Sequence, residues 1–194
     1  MDGHRKAGFG VPDGSRSETT TRTGRFCDLI VRFVAMILTL AAAVVIGVDK
    51  QTKTVPLQLA ASLPPLHVPV TARWHYLSSF VYFVVANAIA CSYAAFSLVL
   101  SLLNKGKSRG FIRSAIIVMD ILTVALLFSG FGAAAAVGAI GWRGNSHLNW
   151  NKMCNVFGRF CGQGAASLLL SLLGAMAFLS LSLLSAFRLQ RGFK

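Results

Sequence analysis

Polar residues occur in blocks along this chain. Between the blocks lie four stretches that are apolar on every side rather than striped: 29–48, 80–103, 114–140 and 165–187. Each is long enough to cross a bilayer core, which takes roughly 20 apolar residues. Helices of a soluble bundle would each keep a polar face, and these have none. The pattern predicts an all-α membrane protein, a four-transmembrane-helix bundle. It divides the chain into a polar tail over 1–28, a membrane domain over 29–187 and a short tail over 188–194. LAAAVVIG near the end of the first stretch offers residues that a signal peptidase accepts. A charged tail precedes it, however, and its apolar run exceeds a typical signal core, so we read it as a retained anchor.

Composition supports this reading. Of 194 residues 55% are hydrophobic and 13% charged, too apolar for an ordinary soluble domain. The net charge of +13 would point to nucleic acid in a soluble protein. Here the cations flank the spans, where topology and anionic headgroups account for them, so lipids and not nucleic acid are the expected partners. Arg5, Lys6, Arg16, Arg22, Arg25, Lys105, Lys107, Arg109, Arg113, Arg188, Arg191 and Lys194 fall on one side of the membrane. Lys50, Lys53, Arg73, Arg143, Lys152 and Arg159 fall on the other. By the positive-inside rule, both termini and the short loop after the second span are expected in the cytosol.

Two charges lie inside spans. IIVMDILTV places Asp120 within the third, about 9 Å beyond Ser114, and Arg32 lies about 5 Å into the first. An isolated charge at mid-bilayer costs on the order of 2.5–3.5 kcal/mol on insertion scales. A guanidinium can grip a carboxylate through two parallel hydrogen bonds and offset much of that. Arg32 alone could snorkel to the headgroups; Asp120, short and deeper, could not. An Arg32–Asp120 clamp is therefore expected. The alternative is a proton or ion path through Asp120, which would usually bring further polar residues along a shared route or broken helices.

Small residues mark packing faces: Gly130, Ala134 and Gly138 in the third span, and Ser167, Ser171 and Ala175 in the fourth, with Gly174 beside them. These stripes fit contacts within one chain or between chains. The loop over 49–79 holds Pro56, Pro64, Pro65 and Pro69 and is expected to be irregular and in parts extended. The loop over 141–164 holds Cys154 and Cys161, a candidate disulfide if that side is oxidising. Cys27, beside the first span, is a candidate for palmitoylation or an idle thiol, and Cys91 is read as packing. The N-terminal tail, rich in Gly, Ser and Thr, is expected to lack regular structure.

Little suggests catalysis. His67, His75 and His147 show no ligand-like spacing. The chain has no CxxC, GxSxG, HExxH or glycine-rich phosphate cradle, and Asp49 is the one acidic residue on the outer side. Neither an enzyme activity nor a cofactor is expected.

DLIVRFVAMILTLAAAVVIGVDKQT, VTARWHYLSSFVYFVVANAIACSYAAFSLVLSLL, MDILTVALL and WNKMCNVFGRFC, in that order, resemble the plant CASP-like proteins. These are relatives of the Casparian strip membrane domain proteins, and the chain is most similar to their first subfamily. They are four-span plasma-membrane proteins distantly similar to MARVEL-domain proteins. The family's first-span arginine and third-span aspartate fall on Arg32 and Asp120, and its outer-loop cysteines on Cys154 and Cys161. The resemblance implies a non-enzymatic protein that forms oligomers with itself and with other CASP-like proteins. In the strip-forming members such assemblies organise a membrane domain and position cell-wall enzymes. PLQLAASLPPLHVPVTARWHYL lacks the aromatic-rich signature of those members in the first outer loop.

Overall fold

The computed structural model describes residues 14–57, 66–103, 110–144 and 152–192. The far N-terminal tail, the tips of the loops with His147, and Lys194 lie outside them. Four helices make up the body: α1 (Gly14–Gly47), α2 (Ser78–Leu103), α3 (Gly110–Arg143) and α4 (Gly158–Gly192). Each contains a segment apolar and long enough to span a membrane, 22, 26, 30 and 30 residues in chain order.

The helices outrun the spans read from hydropathy. α1 begins at Gly14, inside the tail expected to lack regular structure, and α4 runs on to Gly192. Hydropathy marks where lipid ends. A helix already nucleated in lipid continues at little further cost, because each added residue brings its own hydrogen bond. α3 stops at a glycine: Gly144 takes φ 72° and its N–H bonds to the Ile140 carbonyl at 2.8 Å, the left-handed cap that closes a last turn.

α1 packs on α2 and α4, and α3 packs on the same two. The bundle is thus a four-sided ring with α1 diagonal to α3. Alanines make the interior thin. Ala35, Ala90, Ala94 and Ala175 surround Leu127, Phe178 and Leu181 in one half, and Ala42, Ala134, Ile46, Phe80 and Phe83 fill the other. Ile30, Phe33, Ile37, Leu40 and Val44 of α1 point outward instead, as lipid-facing residues do. Gly130 and Ala134 are buried, as are Ser167, Ser171 and Ala175, while Gly138 is half-buried. Gly130, Ala134 and the stripe of α4 therefore pack inside the chain. Gly138, expected to be a packing residue, instead has open space around its Cα, since a Cβ there would meet nothing within 4 Å. A Cβ at Gly130 would lie 3.2 Å from the Ala86 Cβ, so α2 and α3 approach closely there.

The loop over 49–79 is more ordered than its prolines suggest. β1 (Lys50–Leu57) and β2 (Leu66–Arg73) form an antiparallel hairpin with Lys50 opposite Arg73 and Val55 opposite Val68. A two-stranded ribbon has two edges, and at an edge a proline loses no ladder bond. Pro56 and Pro69 sit at such positions. The hairpin is tied to the bundle, since Gln51 Oε1 accepts the Phe160 N–H at 3.0 Å and so caps an open donor in the first turn of α4.

Just before this hairpin Asp49 is 3% exposed, with both carboxylate oxygens buried and without a hydrogen-bond partner among the described residues. Burial pushes its carboxyl up to about 6, against the pull of Arg159. The native state then holds a proton that the unfolded chain, titrating at the ordinary 3.8, releases. The stabilising effect of protonation is complete below the ordinary value and is lost as pH rises through about 6. Unfolding midpoints should fall across that window, and Asp49→Asn should flatten the fall. A wild-type midpoint that stayed level across the window would contradict this.

Candidate functional site

Arg32 enters the bundle from α1 and is 2% exposed; Asp120 of α3 is fully buried. The two helices are diagonal neighbours, so only a long side chain bridges them. Arg32 Nη2 donates to Asp120 Oδ2 at 2.9 Å and Nη1 donates to Oδ1 at 3.1 Å. This is the two-pronged pairing that matches a planar guanidinium to a carboxylate.

Further hydrogen bonds come from α2, from α3 and from α1 itself. Arg32 Nη1 also donates to Ser97 Oγ on α2 at 3.0 Å, and that hydroxyl donates to the Ala94 carbonyl at 3.0 Å. Arg32 Nε donates to Asp28 Oδ2 at 3.2 Å, one helical turn back on α1. Tyr93 of α2 donates to Asp120 Oδ1 at 2.7 Å, with the Ile116 carbonyl 3.1 Å from the same hydroxyl. The Tyr93 ring rests near Phe178 of α4, with centroids 6.1 Å apart. Three helices thus supply the polar contacts of one charge pair, and α4 backs them through Phe178 against Tyr93. A buried pair is worth having only when its remaining groups are hydrogen-bonded, and here every nitrogen of the guanidinium and both carboxylate oxygens have a partner.

The sequence named Arg32 and Asp120 but not Asp28, Ser97 or Tyr93 as their partners. Asp28 carried a signal, since it precedes Arg32 by four residues and so shares its face. Tyr93 and Ser97, also four apart, share one face of α2.

Four other buried hydroxyls turn back on their own helices, while Ser171 Oγ has no partner among the described residues. Thr39, Thr123, Ser167 and Ser182 donate to the carbonyls of Ala35, Met119, Gly164 and Phe178. Such bonds satisfy a polar group in lipid without lining a route.

At the other end of the bundle Cys154 and Cys161 are disulfide-bonded, with Cα atoms 5.6 Å apart, joining the turn before α4 to its first turn. Cys27 is exposed at the edge of the first span and Cys91 is half-buried; both are free thiols. His67 falls in β2 and His75 in the short turn before α2. Among the described residues no group of three or more His, Cys, Asp or Glu is placed to hold a metal.

The family described as the Casparian strip membrane protein domain matches residues 21–177, a range that contains the ion pair, its partners and the disulfide. CASP-like protein 1E1 of Glycine max is 61% identical over 165 residues, covering 85% of this chain and 87% of its own. CASP-like protein 1E2 of Vitis vinifera is 54% identical over 194 residues, 98% of this chain and 99% of its own. CASP-like protein 1E1 of Arabidopsis thaliana is 46% identical over 174 residues, 90% of each. No solved structure matches. With four membrane-spanning helices and a family match across most of its length, this chain belongs to the CASP-like family of plant membrane proteins.

Proposed function

We propose that this protein is a non-catalytic scaffold of the plasma membrane, with both termini cytosolic, that assembles with itself and with other CASP-like proteins. In this reading it organises a membrane domain to which partners such as cell-wall enzymes are recruited. The observation that carries it is the completeness of the ion pair. Both Asp120 oxygens are engaged, by Arg32 and Tyr93, which suits a latch holding α1, α2 and α3 in one arrangement. A transporter would need that carboxyl free to exchange protons or ions along a polar route.

Assembly needs an outward surface as well as a rigid body. On α3, Gly132, Ala136 and Ala139 are exposed, a second small-residue face beside the buried one. Faces of this kind let helices of neighbouring chains approach closely in lipid. A Cβ at Gly132 would meet nothing within 4 Å inside the chain, so enlarging it leaves the bundle undisturbed.

Gly132→Phe with Ala136→Phe is expected to weaken self-association about tenfold, roughly 1.4 kcal/mol, while surface delivery stays normal. Single-molecule photobleaching in cells, or dilution in lipid nanodiscs, reads this directly. A native chain that stays monomeric at every density in lipid would defeat the scaffold reading. Proton-driven dye quenching in liposomes carrying the native chain would defeat it in favour of transport.

A further inference from the structure

At the end of the bundle away from the ion pair, α3 and α4 part beneath β2 and leave a cavity of about 430 Å³. Its wall is hydrocarbon. Leu77, Phe80, Phe157, Phe160 and Leu168 are among the residues that line it, together with the small residues of α3 around Gly138. The disulfide-bonded Cys154 and Cys161 belong to the same wall, so part of its shape is fixed covalently. Pockets that hold small molecules run about 300–1,000 Å³, and an apolar void of about 150 Å³ already binds benzene.

Among the described residues one charged residue lines this cavity, Arg73 at the end of β2. Its Nε is buried and has no hydrogen-bond partner among the described residues. A guanidinium edge left so is costly, because a buried donor without an acceptor has lost its water for nothing. Tyr76 and Trp142 also line the cavity yet are 65% and 70% exposed, as aromatic residues at a membrane–water boundary are. The site therefore presents an apolar chamber, a cationic side chain whose Nε has no partner among the described residues, and aromatic residues of the membrane–water boundary at its mouth.

We propose that this cavity binds a single-chain amphiphile with a carboxylate head, the class of long-chain fatty acids. The chain fills the space between α3 and α4, and the carboxylate meets Arg73 at the mouth. The chamber suits one hydrocarbon chain and is small for a two-chain phospholipid. The two oxygens of a carboxylate match the paired N–H groups on the Nε edge of a guanidinium. The inference stands whether or not the chain assembles, since the lining comes from a single copy.

The test uses the full chain in lipid nanodiscs and a fluorescent long-chain fatty acid displaced by hexadecanoic acid, by its methyl ester or by a lysophosphatidylcholine. Hexadecanoic acid should displace the probe at a concentration about tenfold lower than the ester, given the strength of charge-assisted hydrogen bonds. Arg73→Gln should bring the acid to the level of the ester. A Cβ at Gly138 meets nothing within 4 Å, so Gly138→Leu should fill the chamber without moving the helices and abolish both. Acid and ester competing equally in the native protein would overturn the proposal, and that comparison needs no variant to fold. Lysophosphatidylcholine competing as well as the acid would overturn the carboxylate assignment. Undiminished binding in a folded Gly138→Leu protein would mean that the probe only partitions around the helices.

Discussion

Asp120→Asn should destabilise the bundle by about 3–5 kcal/mol, the usual cost of removing one partner from a buried ion pair. Arg32 would remain 2% exposed and charged, with an amide in place of its bidentate carboxylate. The amide oxygen could still accept from Tyr93, but the amide NH2 would then face the Arg32 Nη2 donor, leaving that donor without its acceptor. Asp28, partly exposed and bonded to Nε, leaves Arg32 some compensation but does not reach across the bundle. Arg32→Gln should cost as much for the mirror reason, because it leaves Asp120 fully buried without its cation. The two losses should not add. With both partners neutral, Gln and Asn can still meet and no charge is stranded, so the double variant should recover at least about 1 kcal/mol of the sum. Exchanging the two residues is a weaker test. It sets an aspartate at 32 one turn from Asp28, and like charges at that spacing repel. Steric trapping or detergent-titrated unfolding gives the energies, and surface delivery reports the consequence in cells. A cost below about 1 kcal/mol for Asp120→Asn would remove the latch from the argument.

Why the sequence disclosed this pair and little of its surroundings is a matter of which constraints are local. A charge in an apolar stretch is conspicuous, and lipid leaves few ways to tolerate it, so Asp120 called for a partner and Arg32 was the one cation within a span. Depth along each helix placed them within reach. Which helices are neighbours depends on packing across the whole bundle, so the diagonal crossing could not be read. Hydroxyls gave no warning either. Ser97 assists Arg32 while Thr39 and Thr123 bond their own backbones, yet all three read alike as polar residues in spans. Asp28 was concealed by composition, since the tail around it reads as unstructured although α1 passes through it. The hairpin was concealed by its prolines, which forbid a central strand but not a ribbon made of two edges. The small-residue stripes were legible as close approaches; their direction was not. Gly130 and Ala134 face the interior, while Gly132 and Ala136, two positions on from each, face outward.

Gly174→Leu tests the tightest of those approaches. α4 lies against α1 here: a Cβ on Gly174 would sit 3.0 Å from Thr39 Cγ2 and 3.8 Å from the Thr39 backbone nitrogen. Thr39 cannot easily yield. It is fully buried, its hydroxyl is held by the Ala35 carbonyl at 2.9 Å, and a β-branched side chain has few rotamers in a helix. A leucine would therefore drive α1 off α4 and disturb the interior around Ala35, Ala175 and Phe178, costing about 3 kcal/mol, the upper part of the overpacking range. Gly174→Ala sets two effects against each other. Alanine gains about 1 kcal/mol of helix propensity and loses a similar amount or more to the contact with Thr39, so the net change should be small or mildly unfavourable. Thr39→Ser separates the two, because it keeps the hydroxyl and deletes Cγ2. In that background Gly174→Ala should become stabilising by up to about 1 kcal/mol, read from the shift in unfolding midpoint under detergent titration. If Gly174→Ala has the same effect with Thr39 and with Ser in its place, the contact does not set the spacing of α1 and α4, and the glycine must be explained another way.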